Sequence, residues 1–419
     1  MSKKDFLKKL SRELNGLPAA ERKKTMDYYS ELIDDRKEEG FTEESAVDAM
    51  GDVKGIANEI LNDARERGVV IKKRHSALFW GLLSALLILL GIAVIGLGVY
   101  FILTRVFNTK IAEPLNWNMF STEYDLSDSD GVNIDIKDLD LYIGVSEDKL
   151  VHVTYYECDQ VKFVISRENG LTIKQEGRIP IVNLLSEDSH RQVQVLVPES
   201  FGGNIDSNLT TGETKIEQIS PSVLNADTTT GTMSIKKVTA ETIHAGTTTG
   251  LLRVEDSKAA AGRFGTTTGE LSITDCSFSG ELRVTGSTGL IYIGPTECGA
   301  LDARASTGKI VLHNVKADTV EAGLTTGKIE ADSLKAGRIV FESTTGDISF
   351  GMLECPIISM SATTGDITGV LVGYADDYTI ESSTSTGSNT LPEHMGSGAK
   401  KADFRTTTGD IEVHFGLTH

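Results

Sequence analysis

Two aspartates nineteen residues apart, Asp347 and Asp366, each follow a Thr-Thr-Gly phrase and come closest in this chain to a paired-carboxylate site. Carboxylates on neighbouring turns of a repeat could act as general acid and base on a polysaccharide, or hold a cation. Either use wants a base or an arginine beside them, and nothing in the sequence supplies one. The position after the other repeat glycines reads Glu213, Thr232, Leu251, Glu270, Leu290, Lys309, Lys328, Ser388 and Asp410, so a solvated acidic corner is the simpler expectation.

The other chemical signals are weaker. Thr-Thr-Gly lacks the lysine of a phosphate loop, and the eight histidines (75, 152, 190, 244, 313, 394, 414 and 419) form no metal-binding pair. A calcium loop centred on the DSDG at 128–131 would place Leu126 and Lys137 where oxygen ligands are required. Ice binding would want Thr-x-Thr on a strand face, not threonine abutting a glycine. The four cysteines show no C-x-x-C spacing, and Cys276 and Cys298, one coil apart, are expected to be buried free thiols. The expectation is therefore no catalytic residue, no cofactor and no metal.

What positions these residues is a repeat. The phrase closes at Gly212, Gly231, Gly250, Gly269, Gly289, Gly308, Gly327, Gly346, Gly365, Gly387 and Gly409, at intervals of 19 or 20 residues and then two of 22. Each glycine follows a threonine: Thr211, Thr230, Thr249, Thr268, Thr288, Thr307, Thr326, Thr345, Thr364, Thr386 and Thr408. A period near 20 marks a solenoid. Apolar residues two and four places after the glycine (Leu271 and Ile273, Ile310 and Leu312) alternate as strands do, as do those five and seven places before it (Ile339 and Phe341). The spacing predicts a mainly β fold, a Thr-Thr-Gly β-helix over 201–419 with about 19 residues per coil. Its glycines would take corner conformations closed to other residues, and its threonines would stack on their counterparts. Short alternating runs from Val132–Ile136 to Gln192–Val197 predict a β-rich start over 131–200.

The N-terminal segment reads differently. Phe6, Leu10 and Leu14 form one apolar stripe; Pro18, Thr42 and Asp52 start further helices, and Gly40 and Gly51 stop them, giving a helical bundle over 1–70. Residues 1–71 carry 13 basic against 16 acidic side chains, which argues against direct nucleic-acid binding. Between the two regions, Ala77–Leu103 is uncharged for 27 residues, long enough for a helix to cross a roughly 30 Å hydrocarbon core. Lys72, Lys73 and Arg74 before it predict a cytoplasmic N-terminus, with 104–130 as linker and an extracellular C-terminal region. That region, 106–419, carries 24 basic against 44 acidic side chains, a net of −20.

Two resemblances follow from these residues. KKDFLKKLSRELNGLP, DYYSELIDDRKEEGFTEESAVDAMGD and IANEIL, over about residues 3–66, resemble the HAAS-type helical signalling domain of Gram-positive bacteria. Members are commonly encoded beside PadR-type regulators, so the resemblance implies a regulatory protein as partner. TTGKIEA, TTGDISF, TTGDITG and TTTGDIEV resemble the "putative adhesin" family of bacterial surface proteins over about residues 130–415. Together they imply a non-catalytic, single-pass membrane protein of the cell envelope. Its acidic β-helix would serve adhesion, ligand sensing or envelope interaction. A self-associating scaffold, pairing through the edge of the last coil, is the alternative reading, and a carbohydrate-active enzyme a further one.

Overall fold

The computed structural model describes residues 1–67, 115–126, 131–168, 170–180 and 192–416. The chain divides into two compact units, Met1–Ile111 and Ala112–His419.

In the first unit the caps act where the sequence puts them. Helix α1 (Lys3–Glu13) begins at Ser2, whose hydroxyl accepts from the Asp5 N–H. Helix α2 (Ala19–Glu38) starts after Pro18, α3 (Glu43–Asp48) is capped by Thr42, and α4 (Val53–Glu66) by Asp52. Gly40 and Gly51 end α2 and the α3 segment at φ +97° and +94°. The stripe Phe6, Leu10 and Leu14 is wholly buried and packs with Ile33, Val47 and Ala57 into one small core.

The expected membrane-spanning helix requires correction, and with it the single-pass localisation. Among the described residues no helix is long and apolar enough to cross a membrane. The longest, α2, has 20 residues but is studded with charge from Glu21 to Glu38, and its buried residue is Ile33. The stretch 77–103 lies outside the described residues, as do 104–114 and 127–130 of the linker.

The second unit is a β-solenoid. Nearly every repeat strand pairs in parallel with the strand one coil away, with glycine opposite glycine: Gly250↔Gly269, Gly289↔Gly308, Gly308↔Gly327. From the Gly212 coil to the Gly346 coil the inward positions lie seven, five and three residues before the glycine and two, four and seven after it. In the Gly308 coil these are Leu301, Ala303, Ala305, Ile310, Leu312 and Val315, of which all but the partly buried Ala305 are closed off from solvent. Burying one Ile or Leu in this way contributes roughly 1.5–3 kcal/mol. One continuous core runs from Val132 to Val413.

Two arrangements depart from a simple stack. At the start, strands 132–136 and 140–146 form an extra layer against the Gly212 coil. Strands 171–177 and 192–198 continue the stack in parallel, while 151–157, 118–124 and 161–166 join antiparallel and close that end. Closing an end with antiparallel strands leaves short edges in place of a repeat-length one. At the other end, spatial order departs from sequence order. Strand 357–364 pairs with 400–408, and 400–408 then pairs with 378–386. The last coil in sequence is thus the last but one in space, and residues 378–391 form the outer coil.

The structure also shows a second corner, six residues after the glycine. Gln218, Lys237, Asp256, Asp275, Asn314, Ser333 and Met352 all adopt positive φ, between +43° and +58°. Asn and Asp enter this left-handed region most readily, whereas a bulky side chain there costs about 1–2 kcal/mol. Met352 is the poorest fit, at φ +43° and 44% exposed. Met352→Asn is expected to raise stability by about 0.5–1 kcal/mol, read as a higher urea midpoint with unchanged slope. A lower midpoint would mean that the methionine's packing outweighs its backbone strain.

Candidate functional site

Asp347 and Asp366 lie on neighbouring coils, and their carboxylates are engaged with backbone. The Asp366 N–H donates to Asp347 Oδ1 at 3.0 Å, the Asp410 N–H to Asp366 Oδ1 at 2.8 Å, and the Ser388 N–H to Asp410 Oδ1 at 2.7 Å. The ladder follows the spatial order of the coils. Asp140 does the same at the opposite end, accepting from the Glu213 N–H at 2.7 Å. Hydrogen bonds from the Ser388 backbone and side chain hold Asp410 below the usual carboxylate range. These aspartates act as caps that hold the next coil's backbone where the strand ladder breaks at the corner.

The eleven repeat glycines sit at φ between +130° and +146°. All eleven threonines before them are exposed, and ten are preceded by a second Thr or Ser that is exposed as well; at the first coil Thr210 is half-buried. The phrase therefore lays a double row of hydroxyls along one edge of the solenoid, at the ~4.8 Å strand spacing. The threonine three places before the glycine points inward instead. Thr406 and Thr384 there donate to the Gly365 and Gly409 carbonyls, at 3.0 and 2.8 Å.

Between the corners run three outward faces, and each carries a shallow groove. Downstream of the glycines, a groove of about 590 Å³ is bordered by Tyr292, His313 and His414. Its polar side chains are partnered: His313 with Asp332 at 3.4 Å, His414 with Glu412 at 3.1 Å, and Glu330 with Lys309 and Lys328 at 2.6 and 3.1 Å. Hydrogen bonds from Lys309 first, then Lys328, lower the Glu330 carboxyl's pKa. Beyond the second corner, a groove of about 630 Å³ is crossed by the pairs Lys316–Glu297 and Lys335–Glu354, at 3.3 and 2.8 Å. Upstream of the glycines, the third groove, about 750 Å³, follows the hydroxyl rows over the coils of Gly212 to Gly289.

Burial raises the thiols of Cys276 and Cys298 to about 11 and 12, so neither is a nucleophile at neutral pH. They do not face each other, since Cys276 pairs with Thr296 and Cys298 with Phe278. All four cysteines are buried and free. Among the described residues no group of His, Cys, Asp and Glu is arranged to hold a metal ion. The sequence reading missed both the second corner and the three grooves. At six of the seven positive-φ positions the first is signalled by a polar residue followed by an inward one seven places after the glycine. The grooves emerge when outward residues are read in columns one coil apart.

Eleven glycine-closed coils sharing one core, preceded by a separate unit with four helices among its described residues, define a Thr-Thr-Gly β-solenoid protein with an N-terminal helical module. The chain belongs to the Toastrack DUF4097 family, whose model matches residues 130–414. The HAAS model matches residues 5–59. No curated protein matches the chain. Among solved structures, similarity is found to a "putative cell adhesion protein" of Clostridium sporogenes, at 10% identity over 72% of this chain and 100% of that one, with a TM-score of 0.22. A "putative adhesin" of Bacteroides fragilis matches at 13% identity, 71% and 97% coverage and a TM-score of 0.24. Another from Parabacteroides merdae matches at 12% identity, 71% and 96% coverage and a TM-score of 0.27.

Proposed function

We propose that the chain is a non-catalytic two-module binding protein: the HAAS bundle docks a regulatory protein, and the solenoid presents an acidic, hydroxyl-rimmed surface for adhesion or ligand sensing. The observation that carries the docking half is on the bundle. Tyr28 and Phe41 stand 59% and 53% exposed on a domain whose core is otherwise closed, and Tyr28 is braced edge-on by Tyr29 at 5.2 Å. Exposed, rigid aromatics anchor protein interfaces well because they cover apolar area at little entropic cost. The implied partner is a regulator of the PadR type.

Sedimentation of the full chain mixed with such a regulator from the same genome tests this. A complex is expected, weakened at least tenfold by the pair Tyr28→Ala and Phe41→Ala, which corresponds to about 1.4 kcal/mol. Independent sedimentation of the two unmodified proteins would overturn the reading. The second reading, a self-associating scaffold, is supported by the edge strand 118–124, where Met119 and Phe120 are 63% and 42% exposed. The same run reports it, because a chain that stays at 45.2 kDa at every concentration is no scaffold.

A further inference from the structure

The groove upstream of the glycines differs from the other two in holding an uncompensated cation. Along that face arginine normally meets carboxylate. Arg304 touches Asp302, Glu321 and Glu342 at 2.8, 2.9 and 3.3 Å. Arg405 meets Asp403 and Glu381 at 2.7 and 3.4 Å, and Arg283 meets Glu281 and Asp302 at 3.0 and 3.5 Å. Arg263 shares a column with Arg283, lying directly between it and His244 on the flanking coils, and Arg304 stands in the next outward column. It is exposed and has no carboxylate partner among the described residues. A guanidinium left free in a region, residues 106–419, of net charge −20 is a local reversal of sign.

The space beside Arg263 is open for a chemical reason. The next outward position on its strand is Gly265, where an added Cβ would meet nothing closer than the Thr285 hydroxyl at 3.3 Å. At Gly323, the equivalent glycine two coils on from Thr285, the Arg304 side chain fills the gap. Beyond Gly265 stands Thr267, with Thr248 and Ser287 on the coils to either side, all exposed and all lining the groove. At the neighbouring coil Asp227 lies over Gly246, and burial raises its carboxyl while His244 draws it down.

We infer that this groove binds an anionic sugar chain. One acidic group would pair with Arg263 through the planar fork that suits carboxylate and phosphate alike. The sugar's hydroxyls would run along the Thr and Ser rows, which exchange donor and acceptor roles freely. The surrounding acidity disfavours densely charged polymers such as nucleic acid, so the fitting ligand carries few charges and many hydroxyls. This rests on the binding role proposed for the solenoid and is independent of the bundle's partner.

Calorimetry of the full chain tests it with four probes: an oligogalacturonate, a phosphorylated dextran oligomer, the unmodified dextran oligomer and a polyglutamate. One of the two acidic sugars is expected to bind at least tenfold tighter than the neutral sugar and the polyglutamate. Arg263→Ala should lower that affinity at least tenfold, and Gly265→Val, which fills the floor and keeps the charge, should do likewise. Both variants should retain the unmodified thermal midpoint. Polyglutamate binding as tightly as the sugar, affinity untouched by both variants, or no binding by either acidic sugar would each overturn the inference. Regulator docking, read at Tyr28 and Phe41, stands or falls separately.

Discussion

Gly269→Ala is expected to destabilise the solenoid by roughly 3–5 kcal/mol, beyond the usual range for removing a single contact. Two effects add. At φ +141° the backbone is in territory that residues with a Cβ almost never occupy. A Cβ there would also lie 1.8 Å from the Gly250 carbonyl oxygen on the preceding coil, well inside contact distance. That atom is backbone in a paired strand and has no rotamer by which to move away. The damage is therefore expected to spread, because every repeat glycine but Gly212 makes the same contact: Gly308 would meet the Gly289 oxygen at 1.9 Å. Gly265→Ala is the control. It lies four residues away on the same strand, has no positive φ and meets only a hydroxyl at 3.3 Å, so it should cost less than about 1 kcal/mol. Urea denaturation of the two variants measures the difference. Equal effects would show that the glycines are kept for something other than backbone geometry.

That contrast bears on how much of the molecule could be read from sequence. The period was legible because glycine at φ near +140° has no substitute, so the letter recurs wherever the geometry does. The core was legible for a similar reason: strand alternation puts Leu271 with Ile273, and Ile310 with Leu312, on the inner side, and water excludes most polar alternatives there. The helix caps Ser2, Thr42 and Asp52 were equally plain. The second corner was not, because the left-handed region near φ +55° tolerates Gln218, Lys237 and Ser333 as well as Asn314, and no single residue type marks it. The groove at Arg263 was hidden for a different reason. Whether an arginine is neutralised depends on side chains one and two coils away, as Glu321 and Glu342 are from Arg304, and a linear reading does not bring them together. The aspartates at 347 and 366 could be seen as neighbours, but their use as backbone acceptors depends on how the next coil's amides are placed at the corner.

The order of the final coils was also out of reach, and it leads to the second large effect. Phe404 lies in the last coil of the sequence, so a sequential stack would place it at an end, where truncation costs little. In the structure strand 400–408 is sandwiched between 357–364 and 378–386. Phe404 is fully buried and stacks on Phe350 at 6.1 Å, nearly parallel at 3°. The Phe350 ring in turn occupies the space that a side chain on Gly369 would fill. Phe404→Ala would open a cavity that both neighbouring coils border, and it is expected to cost about 3–5 kcal/mol. The topology adds a sharper signature. Among the described residues strand 378–386 has 400–408 as its only parallel partner, with the short 394–395 strand antiparallel to it. Loosening 400–408 should therefore release the amides of 378–386 to hydrogen exchange, while those of the Gly327 coil keep their protection. In a sequential stack 378–386 would remain bonded to 357–364 and stay protected while 400–408 frayed alone. Exchange at these two segments, in the Phe404→Ala variant and the unmodified chain, decides between the arrangements. Linked release of both strands is the expected result, because the chain's C-terminal coil closes the stack from within.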